Sequence, residues 1–181
     1  DIISVQNEPN IKVEYVSCSW NPTQIFNFVK NNAQDVGLPI MIPETSYPDT
    51  GYSDPVLNDA TAASHIGYIG MHLYGGQIKP YTLAIQKQKR VWMTEHLFDP
   101  EDIGTQMNMA KEIMECMNAQ MNGYVWWYLR TPNCNLITSS GGITNKGTVM
   151  GQFSKFVRPG SFRVNTTYQI QNNVNVQAYA G

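Results

Sequence analysis

Five short apolar segments, rich in β-branched and aromatic residues, recur along the chain. Each is followed by turn residues and then by a helical or mixed segment, which is the alternation of βα units. The apolar runs are continuous rather than alternating, and this predicts strands of a parallel sheet that are buried on both faces. The predicted strands are residues 2–6, 39–43, 67–71, 90–94 and 123–127.

Helical patterns fill three of the remaining segments. One helix is predicted from Asn21 through Asn31, because Pro22 is suited to a first helical turn. A second helix is predicted to begin at the acidic segment 99–102, where negative charge favours a helix N-terminus. Its predicted buried face consists of Met107, Ala110, Ile113, Met114 and Met117. A third helix is predicted over residues 147–156.

The pattern of apolar and polar residues changes after Pro159 and Gly160. Residues 161–181 alternate apolar and polar side chains, which is typical of exposed antiparallel strands and not of a further βα unit. The sequence therefore predicts a domain over residues 1–159 and the first strands of a separate β-domain over residues 160–181.

The spacing of the predicted strand ends indicates how the sheet is built. The marker residues at these ends are separated by 36, 28, 23 and 32 positions, and they are Glu8, Glu44, His72, Glu95 and Trp127. Such gaps fit βα units of either an open doubly wound sheet or part of an eight-stranded barrel. No Gly-rich phosphate loop follows any strand, so the barrel is favoured. The predicted fold class is α/β, a (β/α)8 TIM barrel.

Composition narrows the range of partners. The net charge is -2 and only 14% of residues are charged, with no basic run, so nucleic acid is not expected as a partner. No apolar run approaches the ~20 residues that span a bilayer, so no membrane partner is expected. The three cysteines, Cys18, Cys116 and Cys134, lack metal-ligand spacing. The sequence thus predicts no metal site and no cofactor.

Polar and aromatic side chains follow all five predicted strands. In a parallel sheet these side chains would converge at one end of the barrel, around the mouth formed by the carboxyl ends of the strands. The residues are Asn7, Glu8, Glu44, His72, Tyr74, Glu95, His96, Trp126, Trp127 and Tyr128. A lone strand-end acid such as Glu8 also has a structural explanation, because Pro9 ends a strand there. Two carboxylates in an aromatic mouth indicate glycoside hydrolysis, with one proton donor and one nucleophile. In that chemistry Asn7 is suited to bind the sugar 2-hydroxyl, and Tyr74 to keep the nucleophile ionised.

Several motifs together resemble a known enzyme family. QNEP at 6–9 and MTEH at 93–96 resemble the acid/base and nucleophile strands of retaining clan-A glycosidases. With HLYG at 72–75, YVWWY at 124–128 and GQFSKFVRPG at 151–160, the chain resembles glycoside hydrolase family 30 along nearly its whole length, and most of all the bacterial xylanase (glucuronoxylanase) subfamily. The resemblance implies that the strands are the fourth to eighth of the barrel. An N-terminal half, on the same polypeptide or a separate chain, would then supply the other three and would be needed for activity.

The resemblance also implies roles for individual residues. Glu8 would be the acid/base and Glu95 the nucleophile, and the sugar site would include Asn7, Tyr74, Trp126, Trp127 and Tyr128. Glu44 and His72 would either contact the sugar or hold a neighbouring residue in place, whereas His96 is expected to be structural. Glucuronoxylan-specific relatives carry an arginine- and tyrosine-rich loop after strand eight. Here that loop reads YLRTPNCNLI with Arg130 alone, so strict dependence on glucuronic acid is not expected.

The predicted function is a secreted endo-β-1,4-xylanase that cleaves xylan by double displacement. The two carboxylates do not determine which sugar is bound. Another family 30 activity, such as that of a β-1,6-glucanase or a glucosylceramidase-like enzyme, is therefore an alternative. A second alternative is a non-catalytic carbohydrate-binding barrel fragment. The extracellular location is expected because an enzyme that degrades a polymer must meet it outside the cell.

Overall fold

The computed structural model describes residues 1–181. Its elements, in chain order, are β1 Ile3–Ser4, α1 Pro22–Asn31, β2 Ile40–Thr45, α2 Asp54–Asn58, α3 Ala60–His65, β3 Ile66–His72, α4 Thr82–Gln86, β4 Arg90–Glu95, α5 Ile103–Asn118, β5 Gly123–Tyr124, α6 Asn145–Ser154, β6 Phe162–Val164, β7 Gln169–Gln171, β8 Val174–Asn175 and β9 Ala178–Ala180. Short 3-10 helices occupy Ala33–Val36 and Thr50–Tyr52. None of the helices combines the length and apolar character needed to cross a membrane.

The chain forms two compact units. The first consists of residues 1–96 and 118–125, and the second of residues 97–117 and 126–181. The five-stranded sheet belongs to the first unit. The predicted division at residue 159 stays a prediction.

All five predicted strands form one parallel sheet in the order β1-β2-β3-β4-β5. An open doubly wound sheet reverses its strand order at a switch point. Here each strand pairs with the next along the chain, which is consistent with part of an α/β barrel. β5 is shorter than predicted, since its regular pairing ends at Tyr124.

The first unit buries a core of aliphatic side chains from strands and helices. Its fully buried members include Ile40, Ile42, Ile69 and Met93 of the sheet and Ile25, Val29, Val56, Leu57 and Ala62 of helices α1–α3. β2 is buried along its whole length, as its continuous apolar run predicts. In β4, buried positions alternate with half-buried ones such as Trp92, so the expectation that both of its faces are buried is wrong.

The first predicted helix is confirmed, and the start of the third is corrected. Asn21 and Gln24 form a capping box, with the Asn21 side chain accepting from the Gln24 N–H at 2.9 Å and the Gln24 side chain accepting from the Asn21 N–H at 2.8 Å. α6 begins at Asn145, two residues before the predicted start, because the Thr144 hydroxyl caps it by accepting from the Gly147 N–H at 3.0 Å.

Helix α5 buries a different face from the predicted one. The buried positions are Thr105, Met109, Glu112, Ile113 and Cys116, so Ile113 is the single predicted member that is buried. Met107 is 61% exposed. The prediction was wrong because it followed the methionines, whereas the buried stripe includes the polar residues Thr105 and Glu112.

The C-terminal residues form antiparallel pairs in the second unit. β6 pairs with β9, and β7 with β8, which confirms the antiparallel strands predicted for residues 161–181. No disulfide is present: Cys18 is an exposed thiol, whereas Cys116 and Cys134 are buried ones.

Candidate active site

Five of the predicted site residues meet at the carboxyl ends of β1–β4. Glu8, Glu44, His72 and Glu95 are each at most 8% exposed, and we call these four residues the glutamate–histidine cluster. Tyr74 lies beside them, 42% exposed. Parallel pairing places these residues together, because each follows or ends a strand of the same sheet.

Backbone hydrogen bonds beyond the strand ends hold the cluster. The Glu8 N–H donates to the Glu44 carbonyl at 2.9 Å, and the Leu73 N–H donates to the Glu95 carbonyl at 3.2 Å. Glu8 and Glu44 both have left-handed backbones, with φ of 46° and 57°. Non-glycine residues seldom adopt this conformation, and backbone strain of this kind concentrates at functional sites.

The imidazole of His72 lies among the three carboxylates. Its Nδ1 is 3.1 Å from Glu8 Oε1 and 3.8 Å from Glu95 Oε1, and its Nε2 is 3.8 Å from Glu44 Oε2. One carboxylate oxygen of Glu8 and one of Glu95 lie within 4.8 Å of each other. The arrangement thus pairs two close carboxyl groups with a buried ring that can donate a hydrogen bond.

The environment of Glu95 controls its charge. Burial raises the pKa of the Glu95 carboxyl above its ordinary value of 4.5, and the nearby charges of Glu8 and Glu44 raise it further. His72 and the Tyr74 hydroxyl, which donates to Glu95 Oε1 at 3.0 Å, offset part of that rise. Tyr74 therefore favours the ionised form of Glu95.

Two residues that the sequence analysis missed support Glu44. The Thr94 hydroxyl donates to Glu44 Oε2. A Cβ added at Gly70 would lie 2.7 Å from Glu44 Cδ, so the absence of a side chain there makes room for the carboxylate. The available signals were weak: Thr94 directly precedes Glu95, and Gly70 is two residues before His72 on the same strand face.

The other predicted site residues form no hydrogen bond or ion pair with the cluster residues, and each has surroundings of its own. Asn7 is exposed. In the second unit, the Trp126 indole donates to the Cys134 carbonyl at 2.6 Å, and the Arg130 guanidinium donates to the Ser139 carbonyl. The rings of Trp127 and Tyr128, partly exposed, lie 4.0 Å apart between centroids. A shared mouth for these four residues and the cluster stays a prediction.

Three residues of the glutamate–histidine cluster also have ligand atoms close enough together to bind a metal ion. Glu8, His72 and Glu95 each offer one ligand atom within 4.8 Å of the others. These atoms already make contacts within the protein, since His72 Nδ1 lies at hydrogen-bond distance from Glu8 and Tyr74 donates to Glu95. We therefore interpret the group as a hydrogen-bonded set of acids, and the absence of a metal stays a prediction.

Comparison with known proteins connects this geometry to an enzyme family. No protein-family model matches the chain. Glucuronoxylanase XynC of Bacillus subtilis (strain 168) is 36% identical over 190 residues, which cover 99% of this chain. The structure of a GH30 endoxylanase from Clostridium papyrosolvens C71 has a TM-score of 0.93 at 43% identity, and that of the family 30 subfamily 8 xylanase Xyn30A from Clostridium acetobutylicum has a TM-score of 0.96 at 40% identity.

The chain matches the C-terminal part of a glycoside hydrolase family 30 xylanase. Both structural matches cover 99% of this chain. The chain spans 44% of the Bacillus protein and 47% and 48% of the two clostridial chains, which is less than half of each. The resemblance to family 30 xylanases that the ordered set of motifs predicts is thus confirmed, and two of these motifs, QNEP and MTEH, contain Glu8 and Glu95 of the cluster.

Proposed function

We propose that the chain is part of a retaining β-1,4-xylanase in which Glu8 is the acid/base and Glu95 the nucleophile. The observation that carries this proposal is the close approach of the two carboxylates, since one oxygen of Glu8 and one oxygen of Glu95 lie within 4.8 Å of each other. Retaining glycosidases hold their carboxyl groups about 5–5.5 Å apart, whereas inverting enzymes leave about 6.5–9.5 Å for a water molecule. The short separation favours direct attack by Glu95.

The proposed reaction has two steps. A Glu95 oxygen forms a bond to the anomeric carbon while the glycosidic C–O bond breaks and Glu8 gives its proton to the leaving oxygen. Glu8, now ionised, then takes a proton from water as the water oxygen attacks the anomeric carbon and releases Glu95. Each step inverts the anomeric carbon, so the product keeps the β-configuration.

The parallel sheet also supports an assignment of β1–β5 to particular strands of the whole enzyme. We assign β1–β5 to the fourth to eighth strands of a (β/α)8 barrel, because they are parallel and paired in chain order. An N-terminal half, on the same polypeptide or on a separate chain, would supply the first three strands. Residues 160–181 would begin a side β-domain.

Xylan is the proposed substrate because the matched proteins are named glucuronoxylanase and xylanase. Arg130 already donates to a backbone carbonyl, and the surrounding loop lacks further arginines. We therefore expect glucuronic acid side groups to assist cleavage without being required. Secretion follows as part of the proposal, since xylan lies outside the cell.

The proposal is tested by the products of the intact protein. We expect reducing ends from glucuronoxylan and from arabinoxylan but not from β-1,6-glucan, and we expect the β-anomer to appear first in ¹H NMR spectra. Initial release of the α-anomer would contradict the retaining mechanism. Activity confined to β-1,6-glucan would contradict the proposed substrate, and binding of xylan without turnover would favour a carbohydrate-binding protein.

Removal of the Tyr74 hydroxyl should shift the pH dependence of the reaction. The hydroxyl lowers the pKa of Glu95, so Tyr74→Phe raises that pKa, and the nucleophile becomes ionised at higher pH. The acid limb of kcat/KM therefore moves to higher pH, and the value at the optimum falls about tenfold with the loss of a charge-assisted bond. Tyr68→Phe, which removes a hydroxyl that accepts from Arg90, is the control and should leave the limb unchanged. An acid limb that stays in place or moves to lower pH would refute this role.

A further inference from the structure

We propose that Glu44 is a positioning residue that acts through His72 on the proton donor Glu8. In this arrangement Glu44 offsets the positive charge of a doubly protonated His72 ring, which donates from Nδ1 to Glu8 Oε1. The proton that Glu8 delivers is thereby held on its other oxygen, Oε2. This inference rests on the proposed function and adds a role that does not require Glu44 to touch the sugar.

The first step of the argument is the geometry of His72. His72 is 1% exposed, so protein groups surround its ring. Nδ1 lies 3.1 Å from Glu8 Oε1, and Nε2 lies on the opposite side of the ring, 3.8 Å from Glu44 Oε2. Each ring nitrogen thus has a carboxyl oxygen as a neighbour.

The second step concerns where the protons lie. A ring nitrogen without a proton presents a lone pair, which a carboxylate oxygen repels, whereas an N–H is attracted to it. A negative charge at Glu44 therefore favours a proton on Nε2. If Nδ1 then lost its proton, it would accept the acidic proton of Glu8 and turn that proton away from the sugar. A ring protonated on both nitrogens avoids this, because Nδ1 donates to Oε1.

The third step concerns the contacts that fix the position of the Glu44 carboxylate next to His72. Thr94 donates its hydroxyl to Glu44 Oε2, and Gly70 leaves the space that the carboxylate fills. The Glu44 carbonyl accepts the Glu8 N–H at 2.9 Å, so the two glutamates are also joined through the backbone. Charged or titratable groups face the cluster from four segments: Glu8 after β1, Glu44 on β2, His72 and then Tyr74 at and after the end of β3, and Glu95 and then His96 at and after the end of β4. The His96 ring lies 5.2 Å from that of Tyr74.

Glu44→Gln in the intact protein tests the proposal through its dependence on the leaving group. On xylan, whose leaving oxygen needs a proton, we expect kcat to fall about 10–100-fold, which is less than the contribution of about 10²–10⁴-fold that a general acid makes. On 2,4-dinitrophenyl β-xylobioside, whose leaving group needs no proton, the rate of the first step should change by less than about threefold. KM should change little on both substrates.

Two further variants separate positioning from a loss of structure. Thr94→Val removes the hydroxyl that holds Glu44, and it should show the same difference between substrates to a smaller degree. Glu112→Gln changes a buried glutamate outside the cluster, and it should affect both substrates equally. In a Glu8→Ala background, Glu44→Gln should cause no additional loss on xylan, because Glu44 acts through Glu8.

Each outcome has a defined meaning. Equal losses on the two substrates in Glu44→Gln, or full additivity with Glu8→Ala, would overturn the inference while leaving the proposed function intact. Full activity of Glu44→Gln on xylan would overturn it as well. Absence of activity in the wild-type protein on both substrates would overturn the proposed function together with the inference that depends on it.

Discussion

Replacement of Glu95 by glutamine is expected to lower kcat on xylan by about 10⁴-fold or more, the loss typical of removing a catalytic nucleophile. The carboxamide oxygen is a poor nucleophile, so the covalent intermediate cannot form at a useful rate. Glutamine preserves the size of the side chain and can still accept from the Tyr74 hydroxyl. The loss should therefore appear in catalysis and not in the folding of the protein.

The measurement is reducing-end release by the intact Glu95→Gln protein, with its thermal unfolding recorded in parallel. A control is Asp59→Asn, which breaks the ion pair of Asp59 with Lys30 at 2.6 Å and preserves a side chain that caps a helix. This control should retain its activity. In the wild type, a 2-fluoro xyloside with a dinitrophenyl leaving group should label the peptide that contains Glu95. Undiminished turnover by Glu95→Gln, or a label at another residue, would rule out Glu95 as the nucleophile.

Replacement of Glu8 by alanine is expected to have the second largest effect, and its size should depend on the leaving group. On xylan the rate should fall about 10²–10⁴-fold, which is the usual contribution of a general acid. On an activated aryl xyloside the first step should be nearly unaffected, since dinitrophenolate leaves without a proton. Hydrolysis of the intermediate should then limit the rate, because no base activates the water.

Azide provides the test of this second step. It attacks the intermediate without needing a general base, so it should accelerate Glu8→Ala and yield a β-xylosyl azide, while the wild type gains little. The control is Glu8→Gln, which retains the shape of the side chain but should respond to azide less because the amide fills the space. If azide has no effect and the activated substrate is cleaved as slowly as xylan, Glu8 is not the acid/base.

Much of the sheet could be predicted from local patterns. Continuous apolar runs such as residues 39–43 have no polar face, which suits a parallel strand, and the lengths between them match βα units. Parallel pairing then places the strand ends together, so Glu8, Glu44, His72 and Glu95 could be grouped from the sequence alone. The grouping follows from chain direction and not from the identity of the residues.

Features that depend on tertiary contacts could not be predicted in this way. The buried face of α5 includes Thr105 and Glu112, whose polarity hides them from a hydrophobic pattern, while the apolar Met107 lies in solvent. The support of Glu44 by Gly70 joins neighbouring strands, and nothing in the local sequence shows which side chain fills the space above a glycine. The left-handed backbones of Glu8, after β1, and of Glu44, at a register shift in the pairing of β2 with β3, likewise depend on the surrounding structure.

Backbone pairing gives the two proposed catalytic acids unequal anchorage. Glu8 lies four residues after the end of β1, where its N–H donates to the Glu44 carbonyl, whereas Glu95 is the last residue of β4 and pairs in register with His72. Segments outside the regular strands open at a lower free energy than core strands, so local opening would displace Glu8 while Glu95 stayed in register. Amide hydrogen exchange should accordingly be faster at Glu8 than at Met93. A partly unfolded enzyme would then lose the ability to cleave xylan before it lost the ability to be labelled at its nucleophile.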